Sequence, residues 1–489
     1  MLPAPSVAFA SLVPVARRDV LRQYGAVPRP REIEVPVRSL ARLGRVVGPA
    51  RTDALRRAAA AYGAALAGTT FWNVSSTEHG GGVAEMLDLL VGYARDAGAD
   101  ARWLVMEGDP EFFSITKRIH NRLHGAPGDR GALGPREAAH YAAVTQANAG
   151  GIDGRLRPGD IVVLHDPQTA GLAAPLRAAG ARLIWRCHVG ADHANACTEE
   201  AWGFLAPHLA ACHRFVFSHA AYVPPLLAGA AVWIIEPSID PLSPKNRALS
   251  PARVASVLAR IGLVAAGPRR RVSAVLGDVG PVPADAPLVV QVSRWDHLKD
   301  MDGVLRGFAE HVAGHAGARL ALIGPDVSAV TDDPEGAAVL AECVETWESL
   351  PTRARNAVRL VALPMDDPVA NALMVNAAQR HARIVVQKSL QEGFGLTVAE
   401  AMWKSRPVVV SAVGGLTGQV PPGTGVLLED PRDLQTFGRA VRDLLDHPAA
   451  AATMGRRGRR HVRAHSLSDR HLLQWGRLLE HVNADDGAG

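Results

Sequence analysis

Arg383-Ile384-Val385-Val386-Gln387, followed after four residues by Glu392-Gly393-Phe394-Gly395-Leu396-Thr397-Val398-Ala399-Glu400, reads as a buried strand, a short loop and the start of a helix. That is one βα unit of an α/β fold. Glu392 then lies beyond the strand's carboxyl end, where open α/β sheets bind ligands, and the first helical turn offers unpaired amides to hydroxyls or phosphate. Gly393 and Gly395 let the backbone of the Gly393 to Leu396 turn, which includes Phe394, come close to a ligand. With the helix starting near Gly395, Glu400 falls in its second turn, where a carboxylate can accept two hydrogen bonds from a vicinal diol such as a ribose. Two solvated glutamates on a surface helix fit the same spacing, so the pattern needs a second signal.

The second signal is Leu288-Val289-Val290-Gln291-Val292-Ser293, another buried-strand run, which ends in Arg294-Trp295-Asp296-His297-Leu298-Lys299-Asp300. Arg294 can bind phosphate through two parallel bonds and Lys299 adds a compact charge, which suits a diphosphate whose charge grows as it leaves. Lysine occurs only at positions 117, 245, 299, 388 and 404 among 53 basic residues, so Lys299 departs from the chain's arginine habit. A loop salt bridge from this pair to Asp296 or Asp300 is the alternative reading.

At 489 residues the chain has room for two or three cores, and 48% hydrophobic with 21% charged residues is ordinary for a globular protein. No apolar run is long enough to span a bilayer. Met1 to Ala16 lacks the basic front of a signal peptide, and a cytoplasmic protein is expected. Cys187, Cys197, Cys212 and Cys343 form neither a metal-ligand spacing nor a disulfide framework, so free thiols are expected. The net charge of +5 is spread along the chain with few interleaved aromatics, which argues against a nucleic-acid partner. Its densest run, Arg456-Arg457-Gly458-Arg459-Arg460, reads as a solvated helix face.

Residues 1–68 form an N-terminal extension with one helical pattern, Thr52 to Leu66. Strand and helix patterns alternate over 69–240, predicting a doubly wound parallel sheet. The proline-rich stretch Pro237 to Pro244 marks a boundary, and a second alternation fills 241–464. The result is two Rossmann-like doubly wound domains facing across a crevice, with a last helix within 465–489 that is able to cross back to the first domain. In the first half, Gly80-Gly81-Gly82 occupies a strand-to-helix turn, either an anion or sugar site or a plain tight turn. His165-Asp166 and Cys187-His188 follow strands and should point into the crevice.

With Arg294, Lys299, Glu392 and Glu400 in place, the chain resembles the retaining glycosyltransferases of family 4, whose E-x7-E signature and Arg/Lys pair bind a sugar nucleotide in a GT-B fold. It looks most like their trehalose-forming group. The further matching stretches are Trp72 to Thr77, Gly80 to Leu87, Gly108 to Phe113, His165 to Gln168, Trp185 to His188, Pro237 to Asn246, Gln387-Lys388-Ser389-Leu390, Ala401 to Lys404 and Val413 to Gly415. The resemblance implies that Glu400 holds the nucleotide ribose, Glu392 the donor glucose, and Arg294 and Lys299 the diphosphate, assisted by the amides of Gly393 to Leu396. It implies that His188 contacts the donor sugar, that Gly80 to Gly82 line the acceptor side, and that Asp166 meets a sugar hydroxyl. Glu78-His79 and Pro421-Pro422 depart from the expected pattern. The implied reaction is transfer of glucose from a nucleoside diphosphate glucose to free glucose, without a metal or other cofactor. A retaining trehalose phosphorylase, or a catalytically silent nucleotide-sugar-binding protein, are the alternatives. The implied partners are these small molecules, with a homodimer left open.

Overall fold

The computed structural model describes residues 30–78, 82–265, 274–277, 279–329 and 335–486. Gly80 and Gly81 of the expected acceptor turn lie outside the described residues, while Gly82 opens the helix Gly82–Asp96.

The first sheet contains seven strands: β1 (Arg31–Ile33), β2 (Thr70–Ser75), β3 (Asp100–Val105), β4 (Ile161–His165), β5 (Arg182–Cys187), β6 (Arg214–Phe217) and β7 (Val232–Ile234), in the order β1-β3-β2-β4-β5-β6-β7. β2 through β7 are parallel, as expected. β1 corrects the expectation of a purely parallel sheet: it pairs antiparallel with β3, Glu32 opposite Leu104. A short antiparallel edge strand on a parallel sheet needs no crossover helix and therefore no long apolar run to announce it. Arg31 of β1 forms an ion pair of 2.6 Å with Glu78. The extension also carries a helix, Leu40–Val47, capped by Ser39, ahead of the longer Pro49–Ala65.

The second sheet, β8 (Leu288–Val292), β9 (Arg319–Pro325), β10 (Val358–Leu363), β11 (Ile384–Gln387), β12 (Val408–Ser411) and β13 (Val426–Leu428), is parallel throughout in the order β10-β9-β8-β11-β12-β13. Helices cover both faces, so its central strands are buried at every residue, which is why they read as unbroken Val-rich runs. β8 and β11, adjacent at the centre, deliver the Arg294 and Glu392 loops side by side.

The last helix, Ser468–Asp486, packs on the first domain's face. Trp475 lies edge-on to Phe71 of β2 at 5.9 Å and beneath the Arg186 guanidinium of β5 at 5.3 Å, and Asp469 pairs with Arg51 of Pro49–Ala65 at 2.6 Å. Arg456, Arg457, Arg459 and Arg460 are exposed on the helix Pro448–His465, whose inner face is Ala451, Gly455, Gly458 and Val462. The four cysteines are free thiols. Among the described residues no helix is long and apolar enough to cross a membrane.

Candidate active site

The loops after β8 and β11 meet in an ion pair: Lys299 Nζ lies 2.6 Å from Glu392 Oε1. The other carboxylate oxygen accepts from Gln387 Nε2 at 3.3 Å and Ser389 Oγ at 3.2 Å, so Glu392, 7% exposed, is held on both oxygens. Arg294 reaches Asp296 at 3.5 Å. The salt-bridge alternative thus describes Arg294, whereas Lys299 turns to the carboxylate expected to face the sugar. Burial works against the charge of Asp296, but Lys117, Arg294 and Lys299 together hold its carboxyl well below the usual range.

Gly395 begins the helix Leu396–Trp403 at φ 78°, a conformation that favours glycine. Glu400 is consequently turned inward, 2% exposed, with Oε2 lacking a hydrogen-bond partner and Oε1 3.9 Å from Lys245. Burial raises its pKa, and Lys245, Lys404 and the Gln379 side chain oppose that rise. A buried carboxylate oxygen without a donor is costly unless a ligand supplies one. Lys245 also pairs with Glu85 of Gly82–Asp96, across the crevice. Lys404, one helical turn after Glu400, donates to Asn246 Oδ1 (3.0 Å), Gln379 Oε1 (2.7 Å) and the Glu400 carbonyl (3.1 Å). Burial among these uncharged acceptors brings its pKa down to about 7.

The facing wall comes from β2, β4, β5 and β6. Asn73 Oδ1 accepts from His165 Nε2 at 3.1 Å, which leaves His165 Nδ1 to accept from His188 Nε2 at 3.3 Å, and His188 Nδ1 to accept from Ser218 Oγ at 3.3 Å. Burial, reinforced by Arg186, keeps both rings neutral. Both His188 ring nitrogens are engaged by protein, and its backbone carbonyl faces Gly393 of the second domain. A Cβ on Gly393 would meet that oxygen at 2.6 Å, which is why glycine stands there. Asp166, at φ 63°, accepts from the His188 amide at 2.7 Å, and burial pushes its carboxyl up to about 7. It therefore braces the His188 backbone.

Several residues from the first domain that the motifs did not single out hold the two halves closed. Tyr222 Oη contacts the carbonyls of Glu392 and Gly393 at 2.9 and 2.8 Å and accepts from the Gly415 amide at 2.9 Å. Asp192 accepts from the Gly414 amide at 2.7 Å. Lys117, on the helix Pro110–Leu123, reaches Asp296 at 3.0 Å and Glu335 at 3.1 Å. His120 and His124 follow Lys117 by three and seven residues, the spacing of one helix face. Gly82 lies over Leu396: a Cβ added at Gly82 would stand 3.2 Å from Leu396 Cδ1. The structure thus gathers Glu392, Lys299, the Gly393 to Leu396 turn, Gly82 and the His188 carbonyl where the two domains meet, with Arg294 beside Asp296 and Glu400 on the buried side of the helix Leu396–Trp403. Lys117 had a sequence signal, the rarity of lysine; Tyr222 and Asp192 had none, since their role exists only across the domain gap. Among the described residues, no group of three or more His, Cys, Asp or Glu is placed to hold a metal ion.

Two family models match this chain: "Trehalose synthase, N-terminal domain" over residues 73–224 and "Glycosyl transferases group 1" over 370–461. Trehalose synthase from Rubrobacter xylanophilus is 35% identical over 421 residues, covering 85% of this chain and 91% of the relative. A trehalose phosphorylase from Pleurotus pulmonarius is more distant, 25% identical over 79% of this chain and 54% of its own length. Among solved structures, a UDP-forming α,α-trehalose-phosphate synthase from Burkholderia xenovorans superposes with a TM-score of 0.65 at 13% identity, covering 84% of this chain and all of the other, which shows the shared two-domain GT-B architecture. The chain belongs to the trehalose synthase family of glycosyltransferases.

Proposed function

We propose that this protein transfers glucose from a nucleoside diphosphate glucose to the anomeric hydroxyl of free glucose, giving α,α-trehalose with retained configuration. The observation that carries the reading is the Lys299–Glu392 pair, with Arg294 on the same loop as Lys299, the His188 carbonyl against Gly393, and the unpartnered Glu400 oxygen on the helix that follows. Residues 241–464 serve as the donor half and 69–240 as the acceptor half. Glu400 takes the ribose diol. The diphosphate draws Lys299 and Arg294, and Glu392 turns to the hydroxyls of the glucose.

The bond from the glucose anomeric carbon to the phosphate oxygen breaks with its electron pair going to phosphate, where the two cations stabilise the growing charge. The departing oxygen then accepts the proton of the incoming hydroxyl on the same face of the sugar. The hydroxyl oxygen bonds to the anomeric carbon, so configuration is retained without a side-chain nucleophile. Arg294 and Lys299 supply the neutralisation, and transfer is proposed to need no divalent ion. Closure by Tyr222, Asp192 and Lys117 keeps water from the reacting carbon.

A coupled assay of nucleoside diphosphate release tests the reading. Release should depend on added glucose and persist in EDTA. Release from none of the nucleotide glucoses, with glucose 1-phosphate formed from trehalose and phosphate, would replace the transferase with a phosphorylase.

A further inference from the structure

Gln387 closes β11 and Lys388-Ser389 follow it, with Gln387 and Ser389 turned to Glu392 and Lys388 turned to Asp300. On the first side, both polar groups bind Glu392 Oε2, at 3.3 and 3.2 Å. Thr397 Oγ1 fixes the Gln387 amide by donating to its Oε1 at 2.9 Å. On the other side Lys388, with no exposed surface, forms an ion pair with Asp300 and donates to the Pro431 carbonyl at 2.8 Å.

Asp300 is the residue directly after Lys299, and its backbone is left-handed, φ 50° and ψ 44°, which few residues other than glycine adopt. Its carboxylate also caps the helix Met301–His311 by accepting from the Gly303 amide at 3.2 Å. The Lys299 carbonyl is held as well, by Gln291 Nε2 at 2.8 Å, and Gln291 Oε1 accepts from the Lys388 amide at 3.2 Å. The peptide that aims Lys299 is therefore pinned at its carbonyl by Gln291 and at the next side chain by Lys388.

We infer that Gln387-Lys388-Ser389 is a positioning tripeptide for the donor diphosphate site, setting both members of the Lys299–Glu392 pair from beneath, with Lys388 acting through Asp300. None of the three is a catalytic residue: they reach donor only through Glu392 and Lys299. The inference rests on the proposed donor site, and it explains why a buried lysine pairs with a left-handed aspartate beneath an arginine-rich protein's lysine-bearing loop.

The test compares wild type with Lys388→Met and with the double variant Lys388→Met/Asp300→Asn. The single variant leaves the Asp300 charge unpaired and is liable to misfold. The double variant removes both charges, and asparagine tolerates the left-handed backbone and still caps the helix. Two readouts are taken: Kd for UDP, ADP and GDP by calorimetry, and kcat and KM for donor and for glucose. In the double variant the tightest-bound nucleotide should weaken and donor kcat/KM should fall by up to about 10²-fold, the scale of a small misplacement of a catalytic group, while KM for glucose stays within about twofold and circular dichroism is unchanged. Wild-type Kd and donor kcat/KM in a double variant of lower Tm would make the tripeptide merely structural and overturn the inference. Nucleotide binding by wild type without transfer would sink the proposed reaction, yet the Kd ratio would still decide the inference; binding of no nucleoside diphosphate by wild type would sink both.

Discussion

On the second domain's wall of the crevice, ions are buried in pairs: Lys299 with Glu392, Lys388 with Asp300, and Lys245 near Glu400. On the first domain's wall, burial instead favours the uncharged forms of three groups, keeping His165 and His188 neutral and raising Asp166 to about 7, beside the buried Arg186. The contrast matches the two ends of the proposed donor. A diphosphate needs fixed charge to receive the electrons of the breaking bond, whereas a glucose ring needs oriented hydrogen bonds and a dry neighbour. Lysine use follows the same division. Four of the chain's five lysines pair with carboxylates in this arrangement, Lys117 reaching over from the first domain to Asp296, while Lys404 donates to uncharged acceptors one turn after Glu400.

The contrast breaks most visibly at Glu392. Glu392→Gln leaves Lys299 without its counter-charge and replaces a charged acceptor for sugar hydroxyls by a weaker neutral one, so kcat should fall by about 10²–10³-fold with a lowered Tm; near-wild-type turnover would remove Glu392 from the chemistry. At Glu400 the expectation is sharper in kind and smaller in size. Glu400→Gln should raise donor KM by about 10- to 100-fold, corresponding to the ~1.5–3 kcal/mol of a hydrogen bond to a charged group, with kcat largely kept. A phosphorylase, having no ribose to hold, would show little change.

The neutral wall is tested through pH. The Asp166 carboxyl, at about 7 in the folded protein, is raised above the ordinary value of 3.8, so the folded state binds a proton that the unfolded chain has released. Stability from this group is therefore greatest near pH 4 and falls as pH rises through about 7. Asp166→Asn keeps the acceptor for the His188 amide and should flatten that fall in a series of Tm measurements between about pH 5 and 8; an unchanged slope would place the titration elsewhere. The smallest effect belongs to charge outside both walls. Arg460→Ser, on the exposed face of Pro448–His465, should shift stability by no more than about 0.5 kcal/mol in urea melts and leave the kinetics alone.

The parallel strands were legible because strands covered on both faces must be apolar at every position, and Leu288–Val292 and Ile384–Gln387 read so directly. β1 was not: Arg31-Glu32-Ile33 is three residues at a sheet edge, with two of them exposed. Glu392 and Glu400 were legible as a spacing, since they flank a helix start. What the spacing omits is the third dimension: that Gly393 must clear the His188 carbonyl, that Tyr222 closes over Gly415, and that the His188 ring is occupied by His165 and Ser218. Those facts depend on how two separately encoded sheets face one another, which no local pattern carries.

Proton NMR of the purified protein with glucose and, in separate tubes, UDP-, ADP- and GDP-glucose tests the central claim most directly. The α,α-trehalose anomeric signal, growing with released nucleoside diphosphate in at least one tube, is the predicted result and names the donor. Absence of that signal in every tube, with glucose 1-phosphate appearing from trehalose and inorganic phosphate, would contradict it.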